Sequence, residues 1–119
     1  MAYPDLLSRL EDIRDASDEA LRFTADTTYD RYLADALMRR AVERCIEIVS
    51  EASRHIPPEL KARHPEMPWR SIADIGNVLR HGYQMVDHWI IWSVVQDHLP
   101  ALRPVIEAML RDVETDDRA

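Results

Sequence analysis

Four side chains that no hydrophobic core requires crowd one short stretch, Gly76-Asn77-Val78-Leu79-Arg80-His81-Gly82-Tyr83: they are Asn77, Arg80, His81 and Tyr83. As residue types they bring an imidazole that exchanges protons near neutral pH, a guanidinium fork that grips oxyanions, an amide and a phenol. On a helix, Asn77 and His81 stand at i and i+4 and share a face, with Arg80 on its flank. Gly82 removes bulk beside His81, and Tyr83 follows just past the expected helix end. Each also has a plain structural explanation. A histidine near a helix C-terminus complements the macrodipole, a tyrosine packs its ring and wets its hydroxyl, and Arg80 and Asn77 can simply be solvated.

Other candidates are weaker. Glu51 and His55 are four residues apart and could begin a metal site, but no third ligand follows at sensible spacing, so no metal and no cofactor is expected. His64, His88 and His98 are expected at the surface, and Trp69, Trp89 and Trp92 in the core or in dimer packing. The single cysteine, Cys45, has no disulfide partner within the chain and reads as a small core hydrophobe.

The elements that must position these groups are helices. A first helix is expected from Pro4 with Leu6, Leu10 and Ile13 inward, thinning near Ala25, and Asp26-Thr27-Thr28 reads as a break followed by an N-cap. A long second helix carries Leu33, Leu37, Ala41, Cys45, Ile48, Ala52 and Ile56 on its expected inner face and stops at Pro57-Pro58. Residues 57–68 hold four prolines and form the long connection, with room for one helical turn in residues 59–62. The third helix starts at Trp69 after Pro68, places Trp69, Ile72, Ala73, Gly76 and Leu79 on one face, and ends near His81-Gly82. A fourth runs from about Met85 to Gln96 with Val86, Trp89, Ile90 and Val94 inward, and a fifth from about Pro100 buries Leu102, Val105, Ile106, Met109 and Val113. The acidic tail from about Glu114 is expected to fray.

Composition agrees with this reading. The 119 residues suit one domain spanning 1–119, and 46% hydrophobic with 31% charged residues suits a globular chain rather than a disordered one. No apolar run approaches the length of a membrane span and the N-terminus lacks a signal pattern, so a cytoplasmic location is expected. The net charge of −7 argues against nucleic-acid binding by the whole surface. Of the quarters 1–30, 31–60, 61–90 and 91–119, residues 61–90 are nonetheless the only net-positive one, with four bases against three acids.

His81-Gly82-Tyr83 resembles half of the signature of the HepT-like branch of the HEPN superfamily, Arg-(any four)-His-any-Tyr. Further blocks agree: Ala41 to Ala52 resembles the family's second helix, and Pro65-Glu66-Met67-Pro68-Trp69 its lead into the third. Val86-Asp87, Ile91-Trp92 and Leu99-Pro100-Ala101-Leu102 resemble the run after the motif. The resemblance covers roughly residues 5–110. It departs at one place. Where the family has its motif arginine this chain has Gly76, followed by Asn77, and the nearest basic residue is displaced to Arg80.

The resemblance implies an all-α, HEPN-type antiparallel four- to five-helix up-and-down bundle and a metal-independent endoribonuclease. Two protomers would bring their motifs together in one composite cleft across a homodimer. His81 would be the base or acid, Asn77 a substrate-orienting group and Arg80 the phosphate ligand, with Arg70 as a further contributor if its end of the helix faces the same cleft. The resemblance also implies a toxin–antitoxin pair. A minimal nucleotidyltransferase antitoxin would transfer AMP onto Tyr83, setting a bulky anion beside the cleft. Gly76 motivates an alternative, a non-catalytic HEPN module that docks a nucleotidyltransferase and holds a nucleotide. A purely structural dimerisation bundle is a third reading.

Overall fold

The computed structural model describes residues 5–81 and 86–118. Among the described residues seven α-helices succeed one another: α1 (Leu6–Phe23), α2 (Tyr29–Ala34), α3 (Ala36–Ser53), α4 (Pro58–Lys61), α5 (Trp69–His81), α6 (His88–Ser93) and α7 (Leu99–Arg118). Among the described residues there is no strand. This is the all-α bundle of the HEPN type that the resemblance implied. Helices α1 and α3 pack along each other at its centre, with α7 against α1 and α5 against α3. No helix among the described residues is long and apolar enough to cross a membrane.

Local chemistry accounts for the boundaries. Asp26 adopts a left-handed φ of 59° and ends the first helical run, and the Thr28 side chain then accepts the Arg31 N–H at 3.2 Å to start α2. The expected second helix is in fact two. It breaks at Asp35, whose extended backbone caps α3 by accepting the Met38 N–H at 3.0 Å. Pro57 and Pro58 end that run and open the single turn α4, where buried Leu60 closes the core. Pro4, the expected start of the first helix, lies outside the described residues, and α1 begins at Leu6.

Two inner faces differ from expectation. In α3 the buried residues are Val42, Cys45, Ile46, Val49, Ser50, Ala52 and Ser53, while Leu37 at its start is 81% exposed and Leu33, which falls in α2, 41%. Four-residue steps advance about 40° per step beyond a full turn, so Leu37 stands about 80° round the helix from buried Cys45, and Leu33 lies before the break at Asp35. In α6 the buried side is Ile91 and Trp92, followed by Val95, whereas Trp89 and Ile90 are each 55% exposed. This segment is apolar all round, so periodicity alone did not select its inner side. Trp89 still rests edge-on against Tyr29, ring centroids 4.8 Å apart, and Trp92 is buried against Tyr32 at 5.2 Å.

The fourth helix starts later than expected, at His88, with Asp87 as its cap; Met85 lies outside the described residues. It also does not stop before the fifth. A π-helical turn, Val94–His98, leads directly into α7. The wider turn sits just before Pro100, whose ring would crowd the carbonyl four residues back in an ordinary helix. In α7, Leu102, Val105, Ile106, Met109 and Val113 are buried as expected, and the backbone is helical to Arg118, past the expected fraying point. Arg103 fastens α7 to α1 through both Asp18 oxygens, Nε to Oδ1 at 2.8 Å and Nη2 to Oδ2 at 3.1 Å.

Candidate active site

Helix α5 carries the chemistry-bearing stretch, and its start is pinned from outside. The Trp69 indole N–H donates to the Lys61 and His64 carbonyls at 3.2 and 3.1 Å, tying the first turn to the end of α4 and the segment that follows it. From there only Gly76 and Leu79 are buried, both against the core side. At about 100° per residue, His81 lies about 140° around the helix from Gly76 and about 160° from Leu79. His81 therefore points away from the bundle and is exposed, as are Asn77 and Arg80.

Gly76 sits at the closest crossing of α5 with α3. Its N–H donates to the Ser50 hydroxyl oxygen at 3.0 Å, and that hydroxyl donates to the Ala73 carbonyl at 2.9 Å. One turn further along α3, Arg54 donates to the same carbonyl from Nε and Nη2, at 3.2 and 2.8 Å. A Cβ on Gly76 would lie 2.6 Å from Ser50 Oγ and 3.0 Å from Ser50 Cβ. Any side chain at this place, an arginine included, collides with fully buried Ser50. The departure at Gly76 thus has a local physical cause in the facing helix.

Arg80 occupies the space next to that vacated place. Its guanidinium folds back along the helix, Nη1 3.4 Å from where a Gly76 Cβ would stand. Nη2 donates to Asn77 Oδ1 at 2.6 Å. Side chains on a helix lean toward its N-terminus, so an arginine four residues on can bring its fork back by one turn. The result is one cation and one amide locked together on the exposed flank of the helix that ends in His81. Arg80 has no carboxylate at ion-pair distance among the described residues, so its other donors remain for a ligand.

The expected site residues separate into groups. Asn77, Arg80 and His81 come from the final turn and a half of α5, and the first two touch. Arg70 is exposed at the opposite end of that helix, about 16 Å of helical rise from His81, so it does not join them. Gly82 and Tyr83 lie outside the described residues. Glu51 and His55 do approach, at 3.6 Å, but no third ligand accompanies them, and no group of three His, Cys, Asp or Glu among the described residues is placed to hold a metal. His98 is exposed, whereas His64 and His88 are half-buried rather than at the open surface. Burial pushes the Cys45 thiol up to about 11, as befits a core residue.

Ser50 and Arg54 were missed by reading the sequence. Their signal is faint but present: a serine among the isoleucines and valines of α3, and a glycine in the middle of α5. A mid-helix glycine costs about 1 kcal/mol against alanine, so its presence asks for a packing reason.

A sequence-family model described as Ribonuclease HepT-like matches residues 13–109. A protein of Thermococcus cleftensis named as a probable ribonuclease HepT is 37% identical over 100 residues, covering 84% of this chain and 91% of that protein. Two proteins of Methanocaldococcus jannaschii, whose names assign RNase activity provisionally, are 30% and 31% identical. They cover 90% and 98% of this chain and 98% and 97% of their own lengths. No solved structure matches the chain.

Proposed function

The chain belongs to the HepT-like ribonuclease family, and from that premise we propose that it is an endoribonuclease working through α5, the toxin of a toxin–antitoxin pair. One observation carries the reading: the 2.6 Å bond from Arg80 to Asn77, which holds a cation on the exposed face of the helix that ends in His81. RNA cleavage asks for a proton carrier and a cation at the scissile phosphate. A base takes the proton of a ribose 2′-hydroxyl, the 2′-oxygen attacks the adjacent phosphorus, and the 5′-oxygen leaves with a proton returned by an acid. The products are a 2′,3′-cyclic phosphate and a 5′-hydroxyl. In this reading His81 moves the proton, Arg80 neutralises charge on the phosphoryl oxygens and Asn77 orients both the guanidinium and the substrate. No step is assigned to a metal.

A second copy of the chain supplies the other wall. His81 points away from its own bundle, so one protomer alone leaves the reacting phosphate exposed to water. The flank beyond His81 is apolar. Val78 is 54% exposed, and Ile75, one turn before it, joins Ile90 and Val94 in a groove of about 250 Å³. Exposed apolar surface of this kind marks an interface, and a homodimer built on it sets two α5 ends near one another.

The silencing step belongs to a minimal nucleotidyltransferase antitoxin. The Tyr83 phenol oxygen attacks the α-phosphorus of ATP, AMP is transferred and pyrophosphate leaves. The adduct adds a negative charge two residues after His81 in the sequence, of the same sign as the RNA phosphate it is to exclude.

The test is cleavage of single-stranded RNA and of tRNA by the purified protein, with chelator present. Cyclic-phosphate ends that vanish with His81→Ala support the reading, and intact RNA with the unaltered protein overturns it. Gly76 favours a second reading, a non-catalytic module that docks the nucleotidyltransferase and holds a nucleotide, because the place of the motif arginine is filled by Ser50. Tight binding of AMP or ATP without RNA cleavage would select that reading.

A further inference from the structure

A second concavity opens on the other side of Arg80. It lies between α1, α3 and α5, holds about 280 Å³, and draws its polar walls from Arg9 and Asp12 of α1, Arg44, Glu47 and Glu51 of α3, and Arg80. Arginines of three helices line it, in a chain whose net charge is −7. Among the described residues Arg9, like Arg80, has no carboxylate at ion-pair distance. Arg44 reaches Glu47 at 3.4 Å, but its side chain is 71% exposed, and a pair of that kind is held weakly.

The mixture of groups narrows what can sit in the cleft. Three carboxylates repel a bare polyanion, and three guanidiniums repel a cation. A nucleotide satisfies both sets: its phosphate oxygens accept from arginine, and its ribose hydroxyls and base N–H groups donate to Asp and Glu. The volume sits near the lower end of ligand pockets, about 300–1,000 Å³, which suits one nucleotide unit and excludes a duplex. Arg80 is shared with the candidate active site, so a strand whose reacting phosphate lies on Arg80 enters this cleft with its neighbour.

We propose that the cleft is a binding subsite for the nucleotide flanking the scissile bond, with Arg9 and Arg44 as its phosphate ligands. The proposal rests on the ribonuclease reading of α5 and extends it: a single-stranded substrate runs from the end of α5 across α1 and α3. Arg9 and Arg44 hold the strand and touch no reacting atom, so they govern substrate affinity rather than the chemical step.

The experiment is fluorescence anisotropy with a labelled single-stranded oligoribonucleotide on full-length protein carrying His81→Ala, so that binding is read without cleavage. Adding Arg9→Gln and Arg44→Gln together is expected to weaken binding at least tenfold. Loss of two phosphate contacts should also reduce the slope of log K against log salt by about 1.4. Arg9→Lys with Arg44→Lys should recover part of the affinity, and Arg111→Gln, exposed on α7, should change nothing. With His81 intact, the double glutamine variant should raise KM tenfold and leave kcat within twofold. Cleavage with an unchanged KM overturns the subsite while leaving the ribonuclease reading standing. RNA binding that depends on the two arginines, without cleavage, supports the subsite and overturns the chemistry. Arginine-dependent binding of free AMP with none of the oligonucleotide overturns the subsite and identifies a mononucleotide site. No binding and no cleavage overturns both.

Discussion

Ser50 and Gly76 face each other across the α3–α5 crossing so closely that a methyl group on Gly76 would stand 2.6 Å from the serine oxygen. The contact is tightened by the hydrogen bond from the Gly76 N–H to that oxygen at 3.0 Å. Gly76→Ala should therefore destabilise the protein by about 2 kcal/mol, the usual range for overpacking, despite alanine's better helix propensity. Chemical denaturation reads the change. Ser50→Gly in the same chain should recover part of the loss, because it removes the two atoms nearest the new Cβ. A Gly76→Ala variant more stable than the parent would show that α3 does not exclude a side chain there.

The bond between Arg80 and Asn77 leads to a kinetic expectation. Arg80→Ala should lower single-turnover RNA cleavage by on the order of 10²–10³, the usual effect of losing one well-placed donor to a developing oxyanion. Arg80→Lys should recover little, since an ammonium cannot hold Asn77 Oδ1 and a phosphate with one planar fork. Asn77→Ala should cost less than Arg80→Ala, because it frees the guanidinium without removing it. Equal activity of Arg80→Ala and the parent would remove Arg80 from the site.

The apolar flank of α5 and α6 bears on assembly. Val78→Asp with Ile90→Asp places two charges where both parent side chains are more than half exposed, so the fold should survive with unchanged helical circular dichroism. Sedimentation should then shift from dimer to monomer, and RNA cleavage should fall with it. A dimer that persists in the double variant would place the interface elsewhere.

Cys45 reports on the core. Its thiol is pushed up to about 11 by burial, so at pH 8 the native protein should react with iodoacetamide far more slowly than the unfolded chain. The sign for stability follows from linkage: a group whose folded pKa is raised contributes stability that is complete below its unfolded value, about 8.5, and is lost as pH rises toward about 11. The unfolding free energy of the parent should therefore fall relative to that of Cys45→Ala as pH rises from about 9 toward about 11. Rapid alkylation of the native protein at pH 8 would contradict the burial of this face of α3.

Much of the fold was legible locally. Proline pairs, the Asp26-Thr27-Thr28 break and the start of α5 at Trp69 all depend on groups within a few residues of one another, and the structure places them as expected. The inner face of α7 was legible for the same reason, since Leu102, Val105, Ile106, Met109 and Val113 lie on a single stripe. The faces of α3 and α6 were not. In α3 the four-residue spacing drifts off the core face and Leu37 ended outside; α6 is apolar on more than one side, so only the neighbouring helices chose its inner face and Trp89 ended outside.

The candidate site divides the same way. Sequence alone determined that Asn77, Arg80 and His81 share one end of one helix, because helical spacing is a property of the chain itself. It also marked Gly76 as a departure without a cause. The cause is Ser50, 26 residues away, and only the packing of α3 on α5 brings its hydroxyl into the space a side chain would need. The same packing turns Arg80 from a displaced cation into one folded back over Gly76, and sets it at the rim of a cleft with Arg9 and Arg44. Those relationships join three helices distant in the chain, so no local rule of spacing or propensity encodes them.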